Sequence, residues 1–125
     1  MKTVTLFRPG GPKELVLLEA SGWTAFPPRL PEQPIFYPVT NEDYAIQIAR
    51  DWNVRASGAG YVTRFAVDAE FAARYPRQTV GAKRHEELWI PAEDLAEFNR
   101  HIIGKIQLTQ SFRGPAPSGA AAPTA

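Results

Sequence analysis

Residues 85–102 read HEELWIPAEDLAEFNRHI, and the spacing of their apolar side chains changes halfway through. From His85 to Ile90 the period is two. Leu88 and Ile90 share one side of an extended chain, with Glu86 at its start, and Glu87 shares the other side with His85 and Trp89. Beyond Pro91 the spacing becomes three and four, with Leu95, Phe98 and Ile102 on one helix face. Pro91 separates the two regimes, because its missing N–H ends a strand and costs nothing in the first turn of a helix. The expectation is a strand over His85–Ile90, a helix to about His101 stopped by Gly104, and a last strand over Lys105–Phe112. A switch of period within one short segment points to an α+β chain.

Working outward, Thr3–Arg8 (TVTLFR) reads as a first strand ended by Pro9-Gly10-Gly11. Pro12 opens a helix over Lys13–Ser21, with Leu15 and Leu18 on one face and Gly22 as its stop. Residues 27–34 (PPRLPEQP) hold four prolines and read as a stiff extended loop. Ile35–Val39 is a short strand in which Pro38 marks an edge or an end. Thr40-Asn41-Glu42-Asp43 is a helix entry with acidic residues in the first turn. That helix runs to about Trp52, its apolar stripe formed by Tyr44, Ala45, Ile48, Ala49 and Trp52. Asn53–Gly60 (NVRASGAG) reads as a flexible connection. Tyr61–Val67 alternates cleanly as a strand, Asp68 caps a helix over Ala69–Tyr75, and Gln78–Val80 reads as a brief strand. The sum is about five or six strands and roughly three or four helices in mixed order, an α+β fold with a split or bent sheet. No internal repeat occurs.

The chain has 125 residues, which favours one domain. The segment 113–125 is Gly, Pro, Ala, Ser and Thr after its arginine and reads as a disordered tail, leaving a folded body over 1–112. Apolar residues make up 44% and aromatics 11%, enough for one core. Fourteen Lys+Arg against 13 Asp+Glu give a net charge of +1, without the excess that marks nucleic-acid or membrane binding. There is no cysteine, which excludes disulfides, thiolate metal sites and thiol nucleophiles. Only His85 and His101 are histidines, so a histidine-rich metal site is not expected, and His101 reads as a charge at a helix C-terminus. No apolar run approaches a secretory core or the roughly 18 residues of a membrane span, so a cytoplasmic location is expected.

Three places carry candidate chemistry. Arg8 follows Leu6-Phe7 and precedes Pro-Gly-Gly, a position from which a guanidinium reads a phosphate or carboxylate in two-pronged fashion. On the residues alone a solvated arginine or an ordinary ion-pair partner is the favoured reading. Phe36-Tyr37, with Tyr44-Ala45 on the next helix, offers rings for stacking or simply for the core. Glu87 stands beside Trp89, and a carboxylate in that setting can stabilise the oxocarbenium-like charge of a breaking glycosidic bond, or be simply an exposed glutamate next to a half-buried tryptophan, which the residues alone favour. Glu86 and Glu87 point to opposite sides and make no acid–base dyad. Gly58-Ala59-Gly60 lacks the lysine and following helix of a phosphate loop.

In chain order, Leu6-Phe7-Arg8, Phe36-Tyr37 and Glu87-Leu88-Trp89-Ile90-Pro91 resemble the motifs of the ADP-ribosyltransferase fold. From LFRPGGPKEL through FPPRLPEQPIFYPV and YAIQIARDWNV to ELWIPAEDLAEFNRHI, the chain is similar to short bacterial proteins labelled ADP-ribosylation/crystallin J1. The resemblance spans about residues 4–112. It implies a compact transferase-like domain with NAD as substrate and no metal. It implies mono-ADP-ribosyl transfer or NAD glycohydrolysis, with Glu87 catalytic. Arg8 would contact a phosphate or the adenine-side ribose, Tyr37 would stack on the nicotinamide, and Thr40, Tyr44 and Trp89 would complete the NAD site. Thr40 is the nearest substitute for the serine-threonine-serine motif, which is missing after Tyr37. His85 stands where arginine-modifying members carry a second acid, so arginine as acceptor is not implied. The acceptor is left open as protein, nucleic acid or small molecule. Two further readings stand beside the enzyme: a catalytically degenerate ligand- or protein-binding module on the same scaffold, and a regulatory partner such as a toxin–antitoxin component. Only the enzyme requires Arg8, Tyr37 and Glu87 to line one cleft.

Overall fold

The structure is a computed structural model that describes residues 2–79 and 85–114. Strand β1 (Thr3–Gly10) leads into α1 (Pro12–Ala20), and the proline-rich segment returns the chain to β2 (Ile35–Phe36). Next come α2 (Glu42–Gln47), a π-helical turn over Ile48–Asn53 and α3 (Val54–Ser57), which together make one continuous helical run. Strand β3 (Ala59–Asp68), α4 (Ala69–Ala72), β4 (Arg77–Thr79), β5 (Glu86–Leu88) and β6 (Ile90–Pro91) come after it in the chain. A 3-10 turn at Ala92–Asp94 opens α5 (Leu95–Arg100), and β7 (Ile102–Arg113) ends the described chain. Helices and strands mix in one α+β arrangement, and all the strand pairs are antiparallel among the described residues.

The order β1-β3-β7 forms the main sheet, β4 pairs with β5, and β2 pairs with β6. Val39 joins the first two. It bridges Phe7 on one side and Glu87 on the other. Its N–H and C=O exchange hydrogen bonds of 2.8 and 2.9 Å with Phe7, while Leu88 N–H donates to Pro38 O and Thr40 N–H to Glu86 O. Regular pairing in the expected strand Ile35–Val39 therefore stops at Phe36. Pro38 has no N–H to give a ladder, and its carbonyl alone takes part.

Each face of the sheet has its own core. One is built by Leu6, Phe65 and Val67 from the strands and Leu18, Phe71, Leu95 and Phe98 from the helices. Phe26, Phe36, Phe65, Phe71 and Phe98 run through it as a chain of ring contacts, with centroids 4.8 to 6.2 Å apart. Edge and tilted ring contacts of this kind add about 0.5–1.5 kcal/mol each to the burial itself. The smaller core on the other face joins Val39, Val62, Ala45 and Ala49. Leu88 and Ile90 are buried as their alternation requires, while Trp89 stays exposed.

Several local expectations are corrected. The helix expected to end near Trp52 continues to Ser57, so Asn53–Gly60 is largely helical rather than a flexible connection, and Gly58 at φ 83° terminates it. The π turn places an extra residue in the coil and rotates the residues after it about the helix axis. Asn53 is buried where Trp52 was expected, and Trp52 is 64% exposed. The strand expected over His85–Ile90 is interrupted at Trp89, pairing first with β4 and then with β2. The fourth helix ends at Ala72, and Asp68 makes no side-chain cap. The last helix ends at Arg100 with His101 as its cap, so Gly104 does not stop it. Gly104 at φ 76° lies inside β7, between the pairs Ala66↔Ile103 and Arg64↔Gln107 where the register shifts. Arg113 closes β7, one residue past the expected strand end at Phe112, and Gly114 N–H donates to Gly58 O. Val80 of the expected strand Gln78–Val80 lies outside the described residues, as does the tail beyond Gly114.

The helical run presses on β3 at Gly60. A Cβ there would overlap the Ala49 carbonyl oxygen, a backbone atom that cannot move alone. Gly60→Ala is therefore expected to cost about 3 kcal/mol, as overpacking against a rigid neighbour does. Urea denaturation checks this, and an unchanged midpoint would show that the helix lifts off the sheet without loss.

Candidate functional site

An open cleft of about 1130 Å³ lies along the seam between β1, the proline-rich segment and β5. Arg8 from β1, Tyr37 from the segment after β2, and Glu87 from β5 all line it. Val39 is the reason they meet, because its two bridges set β1 beside residues 37–39 and those beside β5. Strand alternation then turns Glu87 away from the core side occupied by Leu88 and Ile90.

Glu87 is held at both oxygens. The Tyr44 hydroxyl donates to its Oε2 at 2.9 Å, and the Trp89 indole N–H donates to its Oε1 at 2.8 Å. Tyr44 in turn lies flat on the His85 ring, with centroids 4.2 Å apart. Partial burial and the hydrogen bond to Glu87 push the Tyr44 phenol up to about 12. Tyr37 meets Trp89 edge-on at 6.1 Å. The carboxylate thus has a fixed direction before any ligand binds.

Arg8 does not end its strand, since β1 continues through Pro9 and Gly10. Its guanidinium is engaged by Glu14 of α1 in a two-pronged pair, Nε to Oε2 and Nη2 to Oε1, both 2.9 Å. Nη1 makes a long contact of 3.5 Å with the Tyr37 carbonyl. The guanidinium lies over the Phe36 ring at 4.8 Å. A second cation, Arg29 of the proline-rich segment, lies over the same ring at 5.8 Å and reaches Glu14 Oε1 at 3.8 Å. Neither Glu14 nor Arg29 is singled out by the sequence. The pairing of Arg8 with Glu14 crosses the Gly10-Gly11 turn, and a charged residue set among prolines was the only sign of Arg29.

Thr40, Tyr44 and Trp89 are not among the residues lining the cleft. Tyr44 and Trp89 brace Glu87 instead. Thr40 donates to Glu86 Oε1 at 3.2 Å, on the side away from Glu87, where Arg77 also pairs with Glu86 at 3.6 Å. His101 caps its helix by contact with the Glu97 carbonyl and stacks on Phe71 at 4.0 Å. No group of three or more His, Asp or Glu that could hold a metal ion occurs among the described residues. No helix among them is long and apolar enough to cross a membrane.

Comparison with protein-family models, with curated proteins and with solved structures finds no match. The site is therefore read from its own geometry.

The native state keeps the Tyr44 proton between its ordinary ionisation near 10 and about 12. An unfolded chain gives that proton up near 10, so stability present below pH 10 is lost as pH rises through this window. In Glu87→Gln the Coulombic cause of the shift is gone and any hydrogen bond is to a neutral amide, so desolvation is the main cause left. Tyr44 is then expected to ionise part of the way back toward 10, read from phenolate absorbance with Tyr44→Phe as the reference. An unmoved titration would show that the Glu87 contact does not persist in solution.

Proposed function

We propose that the cleft binds NAD and that the chain is an ADP-ribosyltransferase-like domain acting at the nicotinamide–ribose bond. The observation that carries this reading is that Arg8, Tyr37 and Glu87, far apart in sequence, line one cleft. In this reading the Arg8 side takes the diphosphate and Tyr37 packs on the nicotinamide ring. Glu87 accepts a hydrogen bond from a hydroxyl of the nicotinamide ribose. The glycosidic C–N bond breaks with its electron pair leaving on nicotinamide, and the fixed carboxylate stabilises the positive charge that grows on the ribose. An acceptor hydroxyl, amine or water then forms the new bond to the same ribose carbon and loses its proton to solvent. Tyr44 and Trp89 position Glu87, so their hydrogen bonds are part of the machinery without touching NAD.

A second reading is favoured by one specific observation. Both oxygens of Glu87 and two nitrogens of Arg8 already have partners within the chain. A cleft whose charges are internally satisfied suits a binding module that holds a ligand without turning it over. Calorimetry with NAD, with nicotinamide followed in the same sample, separates the two. Glu87→Gln keeps the side-chain shape and is expected to leave the melting temperature near wild type while lowering nicotinamide release by about a hundredfold or more, the scale of losing one electrostatic contact in a transition state. Full turnover in that variant removes Glu87 from the chemistry. Binding without release by wild type selects the binding module.

A further inference from the structure

The cluster of Arg8, Glu14 and Arg29 holds two cations against one carboxylate in the wall of the open cleft. Their side chains are 12%, 14% and 9% exposed. Both guanidiniums lie over the buried Phe36 ring. Arg8 takes the better half of the carboxylate, with two bonds of 2.9 Å. Arg29 is left at 3.8 Å, beyond hydrogen-bond reach. Its other contacts are to neutral oxygens, Nε to the Gln33 carbonyl at 3.2 Å and Nη2 to the Gln33 side chain at 3.4 Å. Its Nη1 makes no hydrogen bond among the described residues. Burial and the charge of Arg8 hold the Arg29 guanidinium below the usual arginine range. Two like charges brought out of water over one ring are costly unless a compensating anion stands with them. Glu14 compensates for one of them.

We propose that Arg8 and Arg29 together form a diphosphate-binding pair, with Glu14 as an internal counter-ion that the ligand displaces. The ligand class is a nucleoside diphosphate. Tyr37, Trp52, Leu17 and Leu30 are exposed around the same cleft and give flat apolar surface to the remainder of such a molecule. The inference deepens the NAD reading and rests on it for taking this cleft as the ligand site. It adds that Arg29, brought in on the proline-rich segment, shares the diphosphate and that Glu14 sets the affinity. The carboxylate has little slack. A Cβ at Gly10 would meet Glu14 Oε2 at 2.8 Å, so a methyl group there pushes the carboxylate off Arg8 without removing its charge from the chain.

The test titrates the full chain with inorganic pyrophosphate, ADP and NAD by calorimetry, with a thermal melt for each variant. Pyrophosphate is expected to bind wild type, Glu14→Gln about tenfold more tightly and Arg29→Gln about tenfold more weakly, the size of one charge-assisted contact. Arg29→Lys falls between wild type and Arg29→Gln, because it keeps the charge and loses the planar fork. ADP binds more tightly than pyrophosphate if the apolar surface takes the nucleoside, and equal affinity overturns the nucleoside part. Should Glu14→Gln fail to fold, Gly10→Ala decides the role of Glu14 and is likewise expected to tighten pyrophosphate. Equal pyrophosphate affinity in wild type and Arg29→Gln overturns the pair. Unchanged or weaker affinity in the Glu14 or Gly10 variant overturns the counter-ion. An Arg29-dependent pyrophosphate site without NAD cleavage removes the transferase reading and leaves this one standing. NAD cleavage whose KM ignores Arg29→Gln does the reverse.

Discussion

The backbone of one residue holds the molecule's two halves in register. Val39 gives both its polar groups to Phe7, and the residues on either side of it, Pro38 and Thr40, serve Leu88 and Glu86. The seam is therefore a strand one residue long, flanked by a proline that cannot extend it. Its side chain is buried in the smaller core, which fixes the direction of the chain on both sides. Among the described residues this stitch carries the backbone hydrogen bonds that join β5 to the main sheet, and Leu88 adds the packing. The cleft depends on the same stitch, because one wall rises from β1 and another from β5.

Charge placement results from that geometry. On each wall the polar groups that face the cleft are supported by partners behind them. Glu87 is supported by Tyr44 and Trp89, and Arg8 by Glu14 and the Phe36 ring. Groups fixed in this way lose little freedom when a ligand arrives, and they exert their field along a set direction. The same support explains why a tyrosine and a tryptophan close to the cleft do not line it.

Much of the fold was legible where one rule dominates. The switch from period two to period three and four around Pro91 gave β5, β6 and α5, and the burial of Leu88 and Ile90 put Glu87 on the opposite side. The prolines of 27–34 were readable as a segment without regular structure. What escaped needed tertiary information. The π turn at Ile48–Asn53 carries no sequence mark, since it differs from an ordinary helix by one extra residue per turn, and it exchanged the roles of Trp52 and Asn53. Gly104 looked like a helix stop because positive φ serves equally well at a strand irregularity. Of the site, the convergence of Arg8, Tyr37 and Glu87 was a condition that the residues suggested and only the seam at Val39 brings about. The partners Glu14 and Arg29 were hidden because ion pairs across a turn or a loop leave no periodic signal.

The proline-rich segment is tied at both ends. Phe26 exchanges two hydrogen bonds with the Asn99 side chain, of 2.9 and 3.0 Å, and the Pro34 carbonyl accepts from Ala92 at 2.8 Å. Three prolines between those ties, and a fourth at the second tie, restrict the unfolded chain as well as the folded one, so this stretch surrenders less entropy on folding than a glycine-rich loop of equal length. The ties and the prolines together hold this wall of the cleft to a narrow range of shapes. Such a wall acts as a gauge: it admits molecules by width and shape and does not mould itself to them.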